Sequence, residues 1–212
     1  ELKERRSSGW KPYNRVKWYV EQRLDANGIA PASARWDVWR EKMARERSNP
    51  RAARSSWFCV GPTNISGRIL DIEIDPTNTD IVYIGSASGG LWKSTDGGDT
   101  YVTLTDHLPS LAIGAVAVLP WNTDIVLIGT GEGNGANTGA HGIGILRSTD
   151  AGATWDTTNV TSPVSESHGF CVIEVNPTTG TILAGATDGL WRSTDEGLTL
   201  DLVKEGGTYY DV

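Results

Sequence analysis

One eleven-residue string is written three times in this chain: LWKSTDGGDTY from Leu91 to Tyr101, ILRSTDAGATW from Ile145 to Trp155, and LWRSTDEGLTL from Leu190 to Leu200. Its aspartates, Asp96, Asp150 and Asp195, are 54 and 45 residues apart, a spacing that calls for a repeated structural unit. A second feature recurs in step with it. Turns built on Pro76, Pro120 and Pro177, spaced by 44 and 57 residues, each separate two runs of apolar, β-branched residues. The runs are Arg68 to Ile74 with Ile81 to Gly85, Ile113 to Leu119 with Ile125 to Gly129, and Phe170 to Val175 with Thr181 to Gly185. Each period therefore holds strand, Pro turn, strand, short connection, strand, motif turn and strand.

The chemistry of the motif is that of a tight hairpin. Short Ser and Asp side chains bond the backbone N–H groups of their own turn. Gly98, Gly152 and Gly197 suit backbone positions with positive φ. Thr100, Thr154 and Thr199 lead back into a strand, and Tyr101 or Trp155 supplies a packing anchor. Four strands in roughly 45–55 residues match one propeller blade. The string resembles the Asp-box, Ser-x-Asp-x-Gly-x-Thr-Trp, or BNR repeat, of sialidases, xyloglucanases, sortilin-type receptors and photosystem II assembly-factor propellers. The matching positions here are Ser94, Asp96, Gly98 and Thr100; Ser148, Asp150, Gly152, Thr154 and Trp155; and Ser193, Asp195, Gly197 and Thr199. The resemblance implies that these residues build the turn and stand away from any active site. The expected fold is all-β: about three four-stranded blades of a β-propeller, with Thr208 to Val212 opening a fourth. A basic, largely helical arm precedes it.

Charge divides the chain in the same place. Residues 1–56 carry 14 Lys and Arg against 7 Asp and Glu, whereas residues 57–212 carry 5 against 19. The expected domains are thus an arm, 1–56, and incomplete propeller blades, 57–212. Apolar residues recur at helical spacing at Tyr13, Val16, Val20 and Leu24, and again at Trp36, Trp39 and Met43. Ser33 is a fair cap for the second helix. Trp36 and Trp39 are expected to pack on a neighbouring domain, since burying two indoles is worth several kcal/mol at about 25 cal/mol per Å². Nucleic acid is disfavoured as a partner because the acidic blades repel phosphate. The favoured partners are the rest of the chain's own propeller, other protein subunits, or a glycan. No apolar run is long enough for a membrane-spanning helix. Cys59 and Cys171 are too few for a disulfide framework and leave open two free thiols or one long-range bridge. Sequons stand at Asn64 and Asn159.

For catalysis, a glycosidase needs two carboxylates flanking one bond. Xyloglucanase-like propellers carry an aspartate in a segment resembling Tyr-Ala-Arg-Thr-Asp-x-Gly-Gly. The matching segment here is Tyr83 to Gly90, and the aspartate position falls on Ala87. A sialidase-type arginine triad is not assembled either. Arg68 has the place but not the flanking Phe or Pro, and is expected to be an ordinary strand residue. His107, His141 and His168 have no zinc spacing, so no metal site is assigned. A Gly-rich loop from Gly129 to Gly142 interrupts the second unit and is the candidate ligand loop, with Glu132, Asn134 and His141. No cofactor is expected, Ca²⁺ being the one such a loop leaves room for. Asp188, in the equivalent connection of the third unit, reads as a lone carboxylate. Residues 33–101 also resemble large secreted bacterial surface proteins, through Arg35-Trp36-Asp37, Trp57, Gly61-Pro62, Gly67-Arg68-Ile69, Asp75-Pro76 and Gly89 to Thr95. The resulting expectation is a non-catalytic extracellular module that binds protein or glycan or builds a surface assembly. The alternative is a glycoside hydrolase whose carboxylates lie partly in further blades.

Overall fold

A computed structural model describes residues 14, 15, 17, 18, 21, 22, 24, 28, 40–45, 67–134, 140–161 and 168–212. Twelve strands form three four-stranded antiparallel sheets in which each strand pairs with its sequence neighbour. The first holds β1 (Ile69–Ile74), β2 (Val82–Ser86), β3 (Leu91–Ser94) and β4 (Val102–Thr103). The second holds β5 (Ile113–Val118), β6 (Val126–Thr130), β7 (Ile145–Ser148) and β8 (Asp156–Thr157). The third holds β9 (Phe170–Val175), β10 (Ile182–Ala186), β11 (Gly189–Ser193) and β12 (Asp201–Glu205). The first strands of the sheets adjoin one another, β5 lying beside both β1 and β9. That arrangement is a β-propeller: blades fan out from an axis lined by β1, β5 and β9.

Period-2 alternation explains how the blades stack. The middle blade is buried on both faces, so every residue of β5 and β6 is buried and all but Thr130 are apolar. Val116, Val118, Val126, Ile128 and Leu146 face blade one, around Tyr83 and Leu91. Ala115, Ala117, Leu127 and Ile145 face blade three, around Phe170, Ile173, Ile182 and Ala184. The small alanines fall near the axis, where blades converge. Gly114 closes tightly on blade three: a Cβ there would lie 2.0 Å from the Phe170 carbonyl oxygen.

An up-and-down sheet sorts its connections between two ends. The Pro turns and the repeated motif turns share one end, tied by Gly97 N–H to Asp80 O and Ala151 N–H to Asp124 O, both 2.9 Å. The links from second to third strand, and from blade to blade, occupy the other end. Residues 14, 15, 17, 18 and 21 are helical, as are 40–45. Trp36, Trp39, Ser33, Cys59 and Asn64 lie outside the described residues. Cys171 is a free, half-buried thiol. No helix among the described residues is long and apolar enough to cross a membrane.

Candidate functional site

The motif turns are self-contained. In the second copy, the Ser148 hydroxyl donates to Asp150 Oδ1 (2.8 Å) and accepts the N–H groups of Asp150 (3.2 Å) and Gly152 (2.8 Å). Asp150 then accepts Thr154 N–H (2.7 Å) and the Thr154 hydroxyl (2.6 Å). Ser94, Asp96, Gly98 and Thr100 repeat this pattern, as do Ser193, Asp195, Gly197 and Thr199. These bonds go to the ionised carboxylate and hold its pKa down, to about 2 for Asp96. Both oxygens are committed to the turn, so none is left for a substrate proton.

The chemistry-bearing side chains collect at the opposite end. Counting two residues past the second strand of each blade gives Ser88, Glu132 and Asp188. Glu132 is buried, its side chain 1% exposed, and it takes both guanidinium arms of Arg68 across the blade boundary. The Arg68 Nη2 contact is 2.9 Å. Arg68 precedes β1 and its side chain remains 53% exposed. This corrects one expectation: Arg68 is a paired cation at a loop end rather than an ordinary strand residue, and its partner Glu132, a candidate of the Gly-rich loop, is buried. Asn134 and His141 of that loop are exposed.

Asp188 is not a lone carboxylate either. His168 Nδ1 lies 3.4 Å from its Oδ2, and the Trp191 indole N–H donates to its Oδ1 at 3.3 Å. Both partners of the His–Asp pair are about one-quarter exposed. Backbone contacts join the two pairs into one row. Glu132 bridges to Phe170, Gly142 N–H donates to His168 O (2.9 Å), and Thr187 N–H to Gly169 O (3.1 Å). The glycines at 131, 133, 142 and 169 permit this; a Cβ on Gly169 would fall 2.5 Å from the Glu132 carbonyl carbon. The row reads Arg68, Glu132, His168, Asp188 across three blades: a cation with its counter-ion, then an imidazole–carboxylate pair open to solvent. It offers hydrogen-bond donors for hydroxyls and one accessible acid–base pair. Ala87 is buried, with its N–H on Arg68 O (3.0 Å), so no carboxylate stands there. Among the described residues no three His, Cys, Asp or Glu side chains gather as a cation site. Asn159 spends its amide on blade three, accepting Leu200 N–H (2.8 Å) and donating to Leu200 O (2.9 Å).

Sequence reasoning singled out Glu132 and Asp188 but not their pairing with Arg68 and His168, because partners 64 and 20 positions away carry no local pattern that joins them. Aligning the blades by second-strand ends is the signal that places Glu132 and Asp188 together.

No family model matches the chain. It is 30% identical over 176 residues to a xyloglucanase of Hypocrea jecorina (strain QM6a), covering 76% of this chain and 21% of the relative. It is 30% identical over 162 residues to a xyloglucanase of Paenibacillus sp., covering 68% and 15%. The chain thus spans about one-fifth or less of the length of these relatives. Among solved structures, an ancestral GH74 enzyme superposes with a TM-score of 0.55 at 22% identity, over 65% of this chain and 18% of that one. That likeness shows the propeller fold. The curated relatives are enzymes by name, which overturns the expectation of a non-catalytic module and favours its hydrolase alternative.

Proposed function

We propose that this chain supplies blades of an Asp-box glycoside hydrolase that cleaves a polymeric β-glucan of the xyloglucan class. The observation that carries this reading is the 30% identity to xyloglucanases through 162–176 residues. The row at the loop end supports it by giving that similarity a place to act. A polysaccharide lies across several blades at once, and Arg68, held by Glu132, presents guanidinium N–H groups to sugar hydroxyls. Asp188 performs the proton chemistry, with His168 and Trp191 fixing its orientation. Glu132 has both oxygens on Arg68 and serves as a positioning residue. Hydrolysis requires a second carboxylate roughly 5–10 Å from the first, and with Ala87 at the expected position we assign it to a part of the polypeptide outside these blades. A polymeric substrate that crosses no membrane places the enzyme outside the cell.

The natural full-length polypeptide should release reducing ends from xyloglucan. Asp188→Asn should lower kcat/KM by at least about 100-fold, the usual worth of a positioned proton donor or acceptor. Glu132→Gln should act mainly on KM. Absence of turnover on xyloglucan and other β-glucans, in protein with the intact far-UV spectrum of a β fold, would sink the proposal.

A further inference from the structure

The same backbone clamp closes the loop end of every blade. The residue just past the second strand donates its N–H to the carbonyl just before the first: Ala87 to Arg68 at 3.0 Å, Gly131 to Ala112 at 2.8 Å and Thr187 to Gly169 at 3.1 Å. Ala87 and Gly131 bring no polar side chain to this place. Thr187 does. Its hydroxyl oxygen accepts the Gly169 N–H at 3.2 Å, so blade three closes its clamp twice. The doubled clamp joins the two residues next to the His–Asp pair: Gly169 follows His168, and Thr187 precedes Asp188.

Two bonds here do what one does not. A peptide group held at one end can rock about the chain direction; held at both ends, its plane is fixed. The peptide joining His168 to Gly169 has its carbonyl on the Gly142 N–H (2.9 Å) and its N–H on the Thr187 hydroxyl (3.2 Å). That plane sets the direction of the His168 Cα–Cβ bond, and so where the imidazole points. On the facing side the Asp188 carbonyl accepts the Gly206 N–H at 2.7 Å, and its carboxylate accepts the Trp191 indole N–H at 3.3 Å. The imidazole therefore meets the carboxylate, Nδ1 to Oδ2 at 3.4 Å, with both backbones pinned. Gly169 is buried, so its N–H needs a protein acceptor.

We infer that Thr187 is a positioning residue for the proton chemistry of Asp188, acting through Gly169 and His168 rather than on substrate; the inference rests on the hydrolase reading of Asp188. Proton transfer tolerates little displacement of the group that performs it, and a misplacement of about 1 Å costs up to roughly 100-fold in rate. The hydroxyl is what separates the clamp of blade three from those of the other two blades, and it stands where the imidazole–carboxylate pair must be held.

The test uses the natural full-length polypeptide. Thr187→Val keeps the shape and removes the acceptor, whereas Thr187→Ser keeps the acceptor. Thr187→Val should lower kcat on xyloglucan by about tenfold or more with KM within about twofold, and Thr187→Ser should recover most of that loss. Thr158→Val is the structural control. It removes a buried hydroxyl that donates to Ile145 O at 3.1 Å, and should lower the unfolding midpoint without changing kcat. A second readout needs no turnover: the rate of His168 carbethoxylation by diethylpyrocarbonate, followed by mass spectrometry. Asp188→Asn should change that rate at least about threefold in the parent and by clearly less in the Thr187→Val background, where the pair is no longer held. An unchanged kcat in Thr187→Val, a loss that Thr187→Ser does not recover, or an equal response to Asp188→Asn in both backgrounds would overturn the inference. A parent that turns over no β-glucan sinks the hydrolase reading, and the His168 response then decides by itself whether Thr187 sets the pair.

Discussion

At the scale of single residues, burial decides ionisation where the strand pattern does not. Glu73 lies on the axis-lining strand β1, and its pKa is pushed up to about 7. Desolvation is the main cause, partly offset by the Val118 N–H, with the Asp71 and Glu174 carboxylates adding to the rise. Asp71 is raised by the same cause, against the N–H bonds it accepts from Val116 and Ile72. A folded-state pKa above the unfolded one means that the native state holds the extra proton. Stability is then highest below the unfolded value of 4.5 and declines as pH rises toward about 7. Glu73→Gln removes this penalty. The variant should melt higher than the parent at pH 8 and close to it at pH 4.5, by scanning calorimetry at the two values. An equal shift at both would mean that packing, not charge, is responsible. The motif aspartates work in the opposite sense. Their lowered pKa values give stability that is present above the usual carboxylate range and lost on acidification below it, down to about 2 at Asp96.

At the scale of the element, the motif turn is one hydrogen-bonded unit with one point of strain. Asp150→Ala leaves the Thr154 N–H and hydroxyl without their acceptor and should cost about 1 kcal/mol. In a domain of this size that is a fall of roughly 2–4 °C in unfolding midpoint. Ala151 follows it at φ 54°, a conformation costing a side-chain-bearing residue about 1–2 kcal/mol. Blade one has Gly97 at this place, at φ 70°. Ala151→Gly should therefore raise the midpoint by about 1–3 °C, the relief exceeding the added entropy of the unfolded glycine. The matching Glu196→Gly should gain less, because the Glu196 side chain accepts the Trp121 indole N–H at 2.9 Å and lies 3.9 Å from Arg147. Thermal melts of the two single variants compare them directly.

At the scale of the whole molecule, stability resides between blades. Gly114 is the sharpest probe, since any Cβ there drives into the backbone of Phe170 and Gly131. Gly114→Ala should cost several kcal/mol, in the range reserved for severe core disruption. Gly67→Ala, in open space, should be near neutral. Proteolysis that leaves the two variants equally resistant would refute this account of the axis. How much of this was legible beforehand follows from the range of each interaction. Ser, Asp, Gly and Thr within seven positions form a turn by local bonding, so its three copies, the strand count and the blade order could be read directly. Glu132 and Asp188 were visible as carboxylates at matching places in the repeat. That Arg68 grips Glu132, that His168 meets Asp188, and that Lys93 and Arg147 reach the next blade's turn were not visible. Those contacts join residues 20 to 64 positions apart, and their geometry exists only once blades stack. The sequence by itself determined a repeated four-stranded unit and the turn that closes it, because both rest on local hydrogen bonding and period-2 burial. Only the tertiary structure decided which polar side chains are buried, paired or open at the loop end, because burial and pairing depend on which blade stands beside which.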